Sequence, residues 1–292
     1  MSAHAAAAEL LQILQLEQIE QNLFLGQNES AGRRRLFGGQ VLAQAAMAAS
    51  CTVQDLQLHS LHSYFLHPGS PDRPVLFEVE RIRDGRSFTT RRVVAIQNGQ
   101  AIFNMDVSFQ IEEPGLEHAD SMPNVPLPEE LQDDVELANQ VADRPLSPMA
   151  RVERPFETRS VFQLDRQGTY EDRSWSPVWM KFRPTEVTHD AVPDAVLNRC
   201  LLAYASDMGM VSTASLPHQS EVERTEIMMA SLDHALWIHR EVPIDDWLLF
   251  HKRTSAAQGA RGLVHANFFS RHGTLIASVT QEGLLRLPQT AT

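Results

Sequence analysis

Three polar residues in the second half of the chain stand where the surrounding pattern is apolar: Asp207, Ser231 and Gln281. A carboxylate, a hydroxyl and an amide that meet in one pocket form a plausible hydrolytic site. The carboxylate can orient a water molecule and take its proton, while the hydroxyl and the amide hold that water and a carbonyl oxygen. This chemistry needs neither a metal ion nor a cofactor, so the sequence predicts a cofactor-free hydrolase if the three side chains converge.

Asp207 follows a helix that we predict around Asp194 to Ser206. Counting back from Asp207 at helical spacing gives an apolar stripe formed by Ala203, Cys200 and Val196. A carboxylate at the end of that stripe points towards the core, where an unpaired charge is costly. The alternative is a helix end that frays into solvent beside Gly209.

Gln281 interrupts the more apolar face of the last predicted strand, Thr274 to Leu285, because side chains alternate between the two faces of a strand. A buried amide needs partners for its oxygen and for its NH₂, which implies a polar neighbour or a bound ligand. The alternative is that the strand turns outward before Gly283. Ser231 lies between two strand-like segments, where serine is most often a turn or cap residue, and alone it indicates little.

An internal duplication explains why these residues stand out. The segments His62-Ser-Tyr-Phe-Leu-His67 and His234-Ala-Leu-Trp-Ile-His239 both lead, through apolar runs, to a glycine turn and a last strand. The first histidines are 172 residues apart and the turn glycines, Gly99 and Gly273, are 174 apart. Such a period predicts two copies of one small domain. The second copy has Asp207, Ser231 and Gln281 where the first has Cys51, His59 and Val107, which predicts a single active site.

Composition limits the possible partners. The 292 residues, 43% of them hydrophobic, suffice for one large or two ordinary domains. A net charge of −12 argues against nucleic acid or an anionic membrane as a partner. No segment has the ~20 consecutive apolar residues of a membrane span. Local basic clusters such as Arg33-Arg34-Arg35 leave room for an anionic small molecule, although a solvated face is the more common role of such a cluster.

The compartment expected from the sequence is the cytoplasm. Cys51 and Cys200 both lie in apolar helical contexts, which suits reduced, buried thiols in a cytosolic protein. The segment from Ala5 to Leu16 is rich in alanine and leucine, but it lacks a basic leader and carries Glu9. We therefore predict a surface helix there rather than a signal peptide.

The first copy is predicted to be a helix wrapped by strands. After a short strand near Leu23, Phe37-Gly38-Gly39-Gln40 leads into a buried helix from Val41 to Ala49. Glycines before a helix allow close backbone approach, and the helix start offers free N–H groups and a positive dipole end. Gly38, Gly39 and the repeated His62 are the predicted substrate-binding residues. The strands that follow are Leu61 to Leu66, Val75 to Arg83, Phe88 to Gln97 and Ala101 to Ile111, with a hairpin turn at Asn98-Gly99.

A proline-rich, acidic linker follows from Glu112 to about Arg154, with one possible helix from Pro128 to Val141. The second copy starts near Pro155. An excursion from Met208 to Arg224 is inserted relative to the first copy, and we expect a loop there. The remaining predicted strands are Trp175 to Phe182, Glu226 to Ala230, Ala235 to Arg240, Trp247 to Arg253 and Leu263 to Ser270.

Six motifs resemble bacterial acyl-CoA thioesterase II over nearly the whole chain, from about Leu10 to Arg286. They are Phe37-Gly38-Gly39-Gln40, His62-Ser-Tyr-Phe-Leu, Arg83-Asp-Gly-Arg-Ser-Phe88, Arg92-Val-Val-Ala-Ile-Gln-Asn-Gly99, Tyr204-Ala-Ser-Asp207 and Val279-Thr-Gln-Glu-Gly283. The resemblance implies an α+β double hotdog, in which each of two tandem domains is a long helix wrapped by an antiparallel sheet. It places an N-terminal hotdog domain at 1–112, the linker at 113–154 and a C-terminal hotdog domain at 155–292.

The same resemblance implies hydrolysis of fatty acyl-CoA to free acid and CoA by water that an Asp/Thr/Gln set activates. The aspartate and glutamine of that set fall on Asp207 and Gln281. Its hydroxyl residue falls on Ser231, where the family usually has threonine, so the hydroxyl is kept and the methyl group that restricts its rotamer is lost. The family also implies a homo-oligomer, a dimer or a tetramer, with acyl-CoA as substrate.

Other functions stay open at this point. Ser231 could be an acyl nucleophile, but no histidine is obviously paired with it and no G-x-S-x-G motif occurs. A non-catalytic acyl-CoA or lipid-binding protein could share the fold. A hydratase would need a histidine on the second helix, which has none. A metal site built from His59, His62 and His67 is not expected, because these residues do not share a strand face.

Overall fold

The computed structural model describes residues 3–29, 34–140, 151–162, 173–189, 192–222 and 226–287. The helices are α1 (Ala3–Ile13), α2 (Gly38–Ser50), α3 (Asp134–Gln140), α4 (Asp194–Ser206) and α5 (Met210–Ala214). The strands of the first half are β1 (Glu17–Glu20), β2 (Leu23–Gly26), β3 (Gln57–Phe65), β4 (Val75–Asp84), β5 (Phe88–Gln97) and β6 (Gln100–Gln110). Those of the second half are β7 (Phe156–Ser160), β8 (Trp175–Phe182), β9 (Met228–Ser231), β10 (Asp233–Ile238), β11 (Leu248–Gln258), β12 (Arg261–Ser270) and β13 (Leu275–Arg286).

All the strands form one antiparallel sheet in the order β1-β2-β4-β5-β6-β3-β10-β13-β12-β11-β8-β7, and β9 pairs with β13. The two repeats join at the centre, where β3 pairs with β10 from Tyr64↔Asp233 to Ser60↔Trp237. Helices α2 and α4 pack against each other, and both contribute to one hydrophobic core with the strands. This arrangement confirms the predicted α+β double hotdog.

Helix α2 is buried along almost its whole length, because its sequence is largely alanine with apolar side chains between. The two buried glutamines in it are hydrogen-bonded, as burial requires. Gln44 Nε2 donates to the carbonyl oxygens of Ile13 and Gln27, at 3.0 and 2.6 Å, and Gln40 Nε2 donates to Asn28 Oδ1 at 2.8 Å. These bonds fix the start of α2 against the segment that precedes it.

The linker covers the outer face of the second half of the sheet. Four buried residues form a separate cluster there: Trp179, Trp247, Leu249 and Phe269. Met122, Val125 and Leu131 from the linker pack onto it. The indole N–H of Trp179 also donates to the carbonyl oxygen of Pro126 at 2.8 Å. The linker therefore encloses a hydrophobic surface as it crosses between the repeats.

Most predicted elements are present, and α4, β5 and β8 have the predicted bounds. The expected surface helix at the N-terminus is present as α1, which buries one face through Ala6, Ala7, Leu10, Leu11 and Ile13 and leaves His4 and Gln12 exposed. The Asn98-Gly99 turn has φ values of 52° and 73°, as a primed hairpin turn requires. Cys200 is buried as predicted, whereas Cys51 is exposed at the end of α2.

The expected loop over 208–224 contains α5 and a 3₁₀ turn at Leu216–His218, and its last two positions lie outside the described residues. The helix expected from Pro128 is divided into a 3₁₀ turn and α3, and its last residue, 141, also lies outside them. Strands β1 and β7 were not predicted. None of the helices in the described ranges is long and apolar enough to cross a membrane.

Candidate active site

The structure brings Asp207, Ser231 and Gln281 into direct contact. Gln281 Nε2 donates hydrogen bonds to Asp207 Oδ1 at 3.0 Å and to Ser231 Oγ at 2.8 Å. Ser231 Oγ lies 3.5 Å from Asp207 Oδ1. Asp207 is 7% exposed and Gln281 is 1% exposed. The carboxylate is therefore held by the amide inside a nearly buried cluster, as a water-activating site would need.

Backbone geometry sets the positions of these side chains. Asp207 is the C-terminal cap of α4, and Gly209, with a φ of 74°, ends the helix and turns the chain into α5. Strand β9 pairs with β13 so that Ser231 is opposite Gly283, two residues beyond Gln281. The alternatives considered for Asp207 and Gln281 do not apply, because neither side chain turns outward to solvent.

His234 fixes the orientation of the Gln281 amide. Its Nδ1 lies 2.6 Å from Gln281 Oε1, and its Nε2 lies 2.8 Å from Ser206 Oγ. Complete burial lowers the pKa of His234 to about 4, so the ring is neutral at pH 7. Because the amide NH₂ is directed at Asp207 and Ser231, its oxygen faces the ring, and Nδ1 must carry the proton. Nε2 is then an acceptor, and Ser206 Oγ, which lies 2.8 Å from both Nε2 and the carbonyl oxygen of Ala203, has one proton to donate to either of them.

Sequence reasoning did not place His234 in the site and used it only as a marker of the duplication. A signal was available, because strand alternation places His234 on the same face as Leu236 and Ile238, both of which are buried. The strand that carries His234 is the neighbour of the strand that carries Gln281. A histidine on the buried face can therefore reach the Gln281 amide. Ser206 precedes Asp207 on α4 and is fully buried.

The start of α2 from the first repeat meets the end of α4. A Cβ atom added at Gly38 would lie 2.7 Å from Asp207 Oδ2, so only glycine leaves room for the carboxylate. A Cβ atom at Gly39 would overlap the carbonyl oxygen of Tyr204, a backbone atom of α4. Neither glycine N–H has a hydrogen-bond partner among the described residues. Gly38 thus borders the candidate site, and Gly39 permits close contact between the two helices.

His62 is not part of this cluster. It is exposed on β3, between the buried residues Leu61 and Ser63, and its ring packs edge to face on Trp237 at a centroid distance of 5.1 Å. The geometry therefore gives no support to the substrate-binding role predicted for His62. Among the described residues, no three His, Cys, Asp or Glu side chains are grouped as a metal ion would require.

The corresponding place in the first repeat lacks a carboxylate. Cys51 is the C-terminal cap of α2, as Asp207 is of α4. Val107 is buried on β6, and the ring of His59 contacts Ser108 Oγ at 2.8 Å. Among the described residues, the set of carboxylate, hydroxyl and amide is thus found at the end of α4, whereas at the end of α2 the buried Arg91 donates to Thr52 Oγ1 at 2.8 Å.

Two family models match the chain. One, described as acyl-CoA thioesterase, covers residues 149–284, and one described as acyl-CoA thioesterase N-terminal domain covers residues 27–110. Acyl-CoA thioesterase 2 of Haemophilus influenzae is 37% identical over 96% of this chain and 98% of its own length. Acyl-coenzyme A thioesterase 8 of Mus musculus is 38% identical over 94% of this chain and 88% of its own length.

A solved structure gives the same result. The acyl-CoA thioesterase II TesB2 from Mycobacterium marinum has a TM-score of 0.78 at 38% identity, and the match covers 96% of this chain and 99% of that one. Matches to both repeats, to full-length relatives and to this fold agree with one another. The chain therefore belongs to the acyl-CoA thioesterase family of thioester hydrolases.

Proposed function

We propose that the protein hydrolyses fatty acyl-CoA to free fatty acid and CoA. Water held by Asp207, Ser231 and Gln281 attacks the thioester carbonyl carbon directly. The observation that carries this proposal is the direct hydrogen bonding of the three side chains, beside the helix start of the other repeat. The names of the relatives, which are acyl-CoA thioesterases, support the substrate class.

Asp207 is the proposed general base. One carboxylate oxygen accepts the Gln281 amide, and the other faces Gly38. The positive end of the α2 dipole favours a negative charge at this place. A water molecule that donates to the carboxylate and to Ser231 Oγ would be held for attack on a thioester carbonyl carbon. Asp207 takes its proton as the new C–O bond forms.

The oxyanion that then develops needs hydrogen-bond donors. The N–H groups of Gly38 and Gly39 lie in the first turn of α2, where no carbonyl within the helix can accept them. We assign the Gly38 N–H to the thioester carbonyl oxygen, because Gly38 is the glycine that borders Asp207. Donors fixed in a helix stabilise developing charge without reorganising.

Collapse of the tetrahedral intermediate breaks the C–S bond. Asp207 returns the proton it took from water to the departing sulfur, which leaves as the CoA thiol. The second proton of the attacking water is lost when the product acid ionises to a carboxylate. The site ends the cycle in its starting protonation state, with one water consumed.

Direct attack fits this site better than a covalent acyl-serine. An acyl-enzyme route needs a base that accepts the Ser231 proton, and Asp207 Oδ1 is 3.5 Å from Ser231 Oγ, a long contact, while it accepts the Gln281 amide at 3.0 Å. His234 is the nearest histidine in sequence, but its Nδ1 is bound to Gln281 and its Nε2 to Ser206. Neither ring nitrogen is available to Ser231, which instead accepts the amide of Gln281.

We also propose that the division predicted from the sequence holds, with hotdog domains at 1–112 and 155–292 and the linker between them. The C-terminal domain would carry the three catalytic residues, and the N-terminal domain would supply Gly38. A homo-oligomer, dimer or tetramer, and a cytoplasmic location complete the proposal. The free thiols of Cys51 and Cys200 are typical of a reducing compartment.

The test is the release of free thiol from palmitoyl-CoA and shorter acyl-CoAs. We expect Asp207→Asn and Gln281→Ala each to lower kcat by about a hundredfold or more. Asp106→Asn is the matched control, because Asp106 is an exposed carboxylate paired with Arg92 at 2.9 Å. It should retain wild-type turnover, and melting curves should show that all three variants fold.

Two results would overturn parts of the proposal separately. If the wild-type protein is active and both site variants keep its rate, the reaction is right but the catalytic residues are not these. If the wild-type protein binds acyl-CoA and hydrolyses no chain length, the proposed activity fails, and the protein is a binding member of its family.

A further inference from the structure

Tyr204 lies about one helical turn before Asp207 on α4, and it is only 2% exposed. Its hydroxyl group donates a hydrogen bond to Glu29 Oε1 at 2.6 Å. Glu29 belongs to the first repeat, so this bond joins the helix that carries the proposed general base to the other half of the molecule. A hydrogen bond to a carboxylate is roughly twice as strong as one between neutral groups. The reaction described above gives no role to either residue.

The ring of Tyr204 contacts the residue that directly precedes α2. It packs edge to face on Phe37, with ring centroids 5.0 Å apart. Phe37 is the N-cap of α2, and its carbonyl oxygen accepts the N–H groups of Gln40 and Val41 at 3.1 and 3.4 Å. That carbonyl group and the Gly38 N–H belong to one planar peptide unit, so they turn together. The position of Phe37 therefore sets the direction of the N–H that we assign to the thioester oxygen.

Glu29 reaches the start of α2 by a second route. Its backbone N–H donates to Gln40 Oε1 at 3.3 Å, and Gln40 Nε2 donates to Asn28 Oδ1 at 2.8 Å. Gln40 lies in the first turn of α2 and is 1% exposed. The hydroxyl of Tyr204 is thus connected to this turn through Glu29, while its ring is connected to the same turn through Phe37.

Tyr204 is itself held from several sides. Its ring stacks on Phe156 of β7, with ring centroids 6.1 Å apart and planes 17° apart. Its carbonyl oxygen lies against Gly39, which is next to Gly38 in α2. Because Asp207 caps the same helix, a shift of Tyr204 relative to α2 also shifts the carboxylate relative to the Gly38 N–H.

We propose that Tyr204, through its hydrogen bond to Glu29, is a positioning residue that sets the separation between the Asp207 carboxylate and the Gly38 N–H. This inference rests on the proposed function, in which water held at Asp207 attacks a carbonyl group whose oxygen Gly38 binds. Both groups must meet one carbonyl group, and a displacement of about 1 Å can lower a rate by about a hundredfold. The N–H acts on charge that develops in the transition state, so misplacement lowers kcat more than it changes KM.

The test measures thiol release from acyl-CoA by conservative variants. Tyr204→Phe removes the hydroxyl and keeps the ring against Phe37 and Phe156, and we expect kcat to fall by about five- to tenfold with KM within about twofold. Glu29→Gln keeps an acceptor oxygen and should retain most of the rate, whereas Glu29→Ala should lose as much as Tyr204→Phe. Tyr64→Phe is the matched control, because Tyr64 is 61% exposed and should be neutral.

A double-variant cycle separates this hydrogen bond from independent effects. Tyr204→Phe and Glu29→Ala break the same bond, so the combined variant should lose no more rate than either single one. Leu249→Ala controls for stability, because Leu249 is buried in the separate cluster under the linker. It should be at least as destabilised as Tyr204→Phe in chemical denaturation and keep the wild-type kcat at a temperature where all the variants are folded.

Three results would overturn the inference while an active wild-type protein upheld the proposed function. They are an unchanged kcat in Tyr204→Phe, multiplied losses in the combined variant, and an equal loss of kcat in Leu249→Ala. If the wild-type protein hydrolyses no chain length of acyl-CoA, the inference and the proposed function fail together. A fall in kcat that Glu29→Gln avoids and that the combined variant does not deepen would establish the positioning role.

Discussion

At the scale of single residues, the site depends on a chain of hydrogen bonds that begins away from the reacting atoms. Ser206 binds His234, His234 binds the oxygen of Gln281, and the NH₂ of Gln281 binds Asp207 and Ser231. Rotation of the amide group by 180° exchanges its oxygen and its NH₂ without a change in shape. Its hydrogen-bond partners must therefore determine its orientation. His234 is therefore a positioning residue for the proposed catalytic group.

Substitution of His234 should separate positioning from packing. Asparagine can place an N–H near the position of Nδ1, whereas leucine removes the donor and leaves Gln281 Oε1 unsatisfied. We expect His234→Leu to lower kcat by about tenfold or more with little change in KM, and His234→Asn to retain most of the rate. His239→Asn, on the exposed side of the same sheet, should be neutral. Equal loss of kcat in both His234 variants would indicate a packing role alone.

The depressed pKa of His234 also predicts a pH dependence of stability. The unfolded chain binds a proton at this histidine below about pH 6.5, but the folded protein resists protonation until about pH 4. His234 therefore contributes to the free energy of unfolding above pH 6.5. This contribution, up to about 3 kcal/mol, is lost as the pH falls towards 4. Denaturant unfolding from pH 7 to 4.5 should show a steeper loss in wild-type protein than in His234→Asn. Parallel curves would contradict the prediction.

Asp207 and Gln281 could be found from the sequence because each breaks an apolar pattern that the other repeat keeps. Ser231 gave a weaker signal, since a serine at a strand break has no distinctive pattern, and its role as the hydroxyl of the set came from the family resemblance. His234 lies on a buried strand face, and alternation alone marks it as unusual. Alternation within one strand does not predict which residue lies opposite on the neighbouring strand, because that depends on the register between distant strands.

At the scale of elements, the contact between α2 and α4 determines how closely the two repeats approach the site. A side chain at Gly39 would meet backbone of α4, which cannot move aside as a flexible side chain would. We expect Gly39→Ala to lower the unfolding free energy by about 1–3 kcal/mol. Gly115→Ala is the matched control, because a Cβ atom there meets nothing within 4 Å. Equal stability of the two variants, measured by chemical denaturation, would show that the helices can separate at little cost.

The short elements of the chain give weak sequence signals, each for its own physical reason. Strand β1 is exposed at every position, so it has no apolar alternation to recognise. Helix α5 has only five residues, too few for a helical period. Helix α1 is recognisable as a helix, but alanine on its surface hides which face is buried. Long elements with a regular apolar face, such as α4 and β8, were predicted with their observed bounds.

At the scale of the whole molecule, neither repeat is complete without the other. The β3–β10 pair and the α2–α4 contact lie at the centre of one continuous core. We therefore predict a single cooperative thermal transition for the full chain, with equal calorimetric and van't Hoff enthalpies. Two resolved transitions in a calorimetric scan would show instead that the repeats unfold independently.

The two edge strands of the sheet limit how another molecule can pair with it. Strand β1 is short, irregular in register and carries Glu17 and Glu20, while on β7 the edge N–H of Ser160 is already taken by Asp134. Short, charged or covered edges resist the addition of strands from another molecule, which is a common route to aggregation. The sheet therefore cannot readily be extended at either end. Contacts between chains are then expected at surfaces of the molecule other than these two edges.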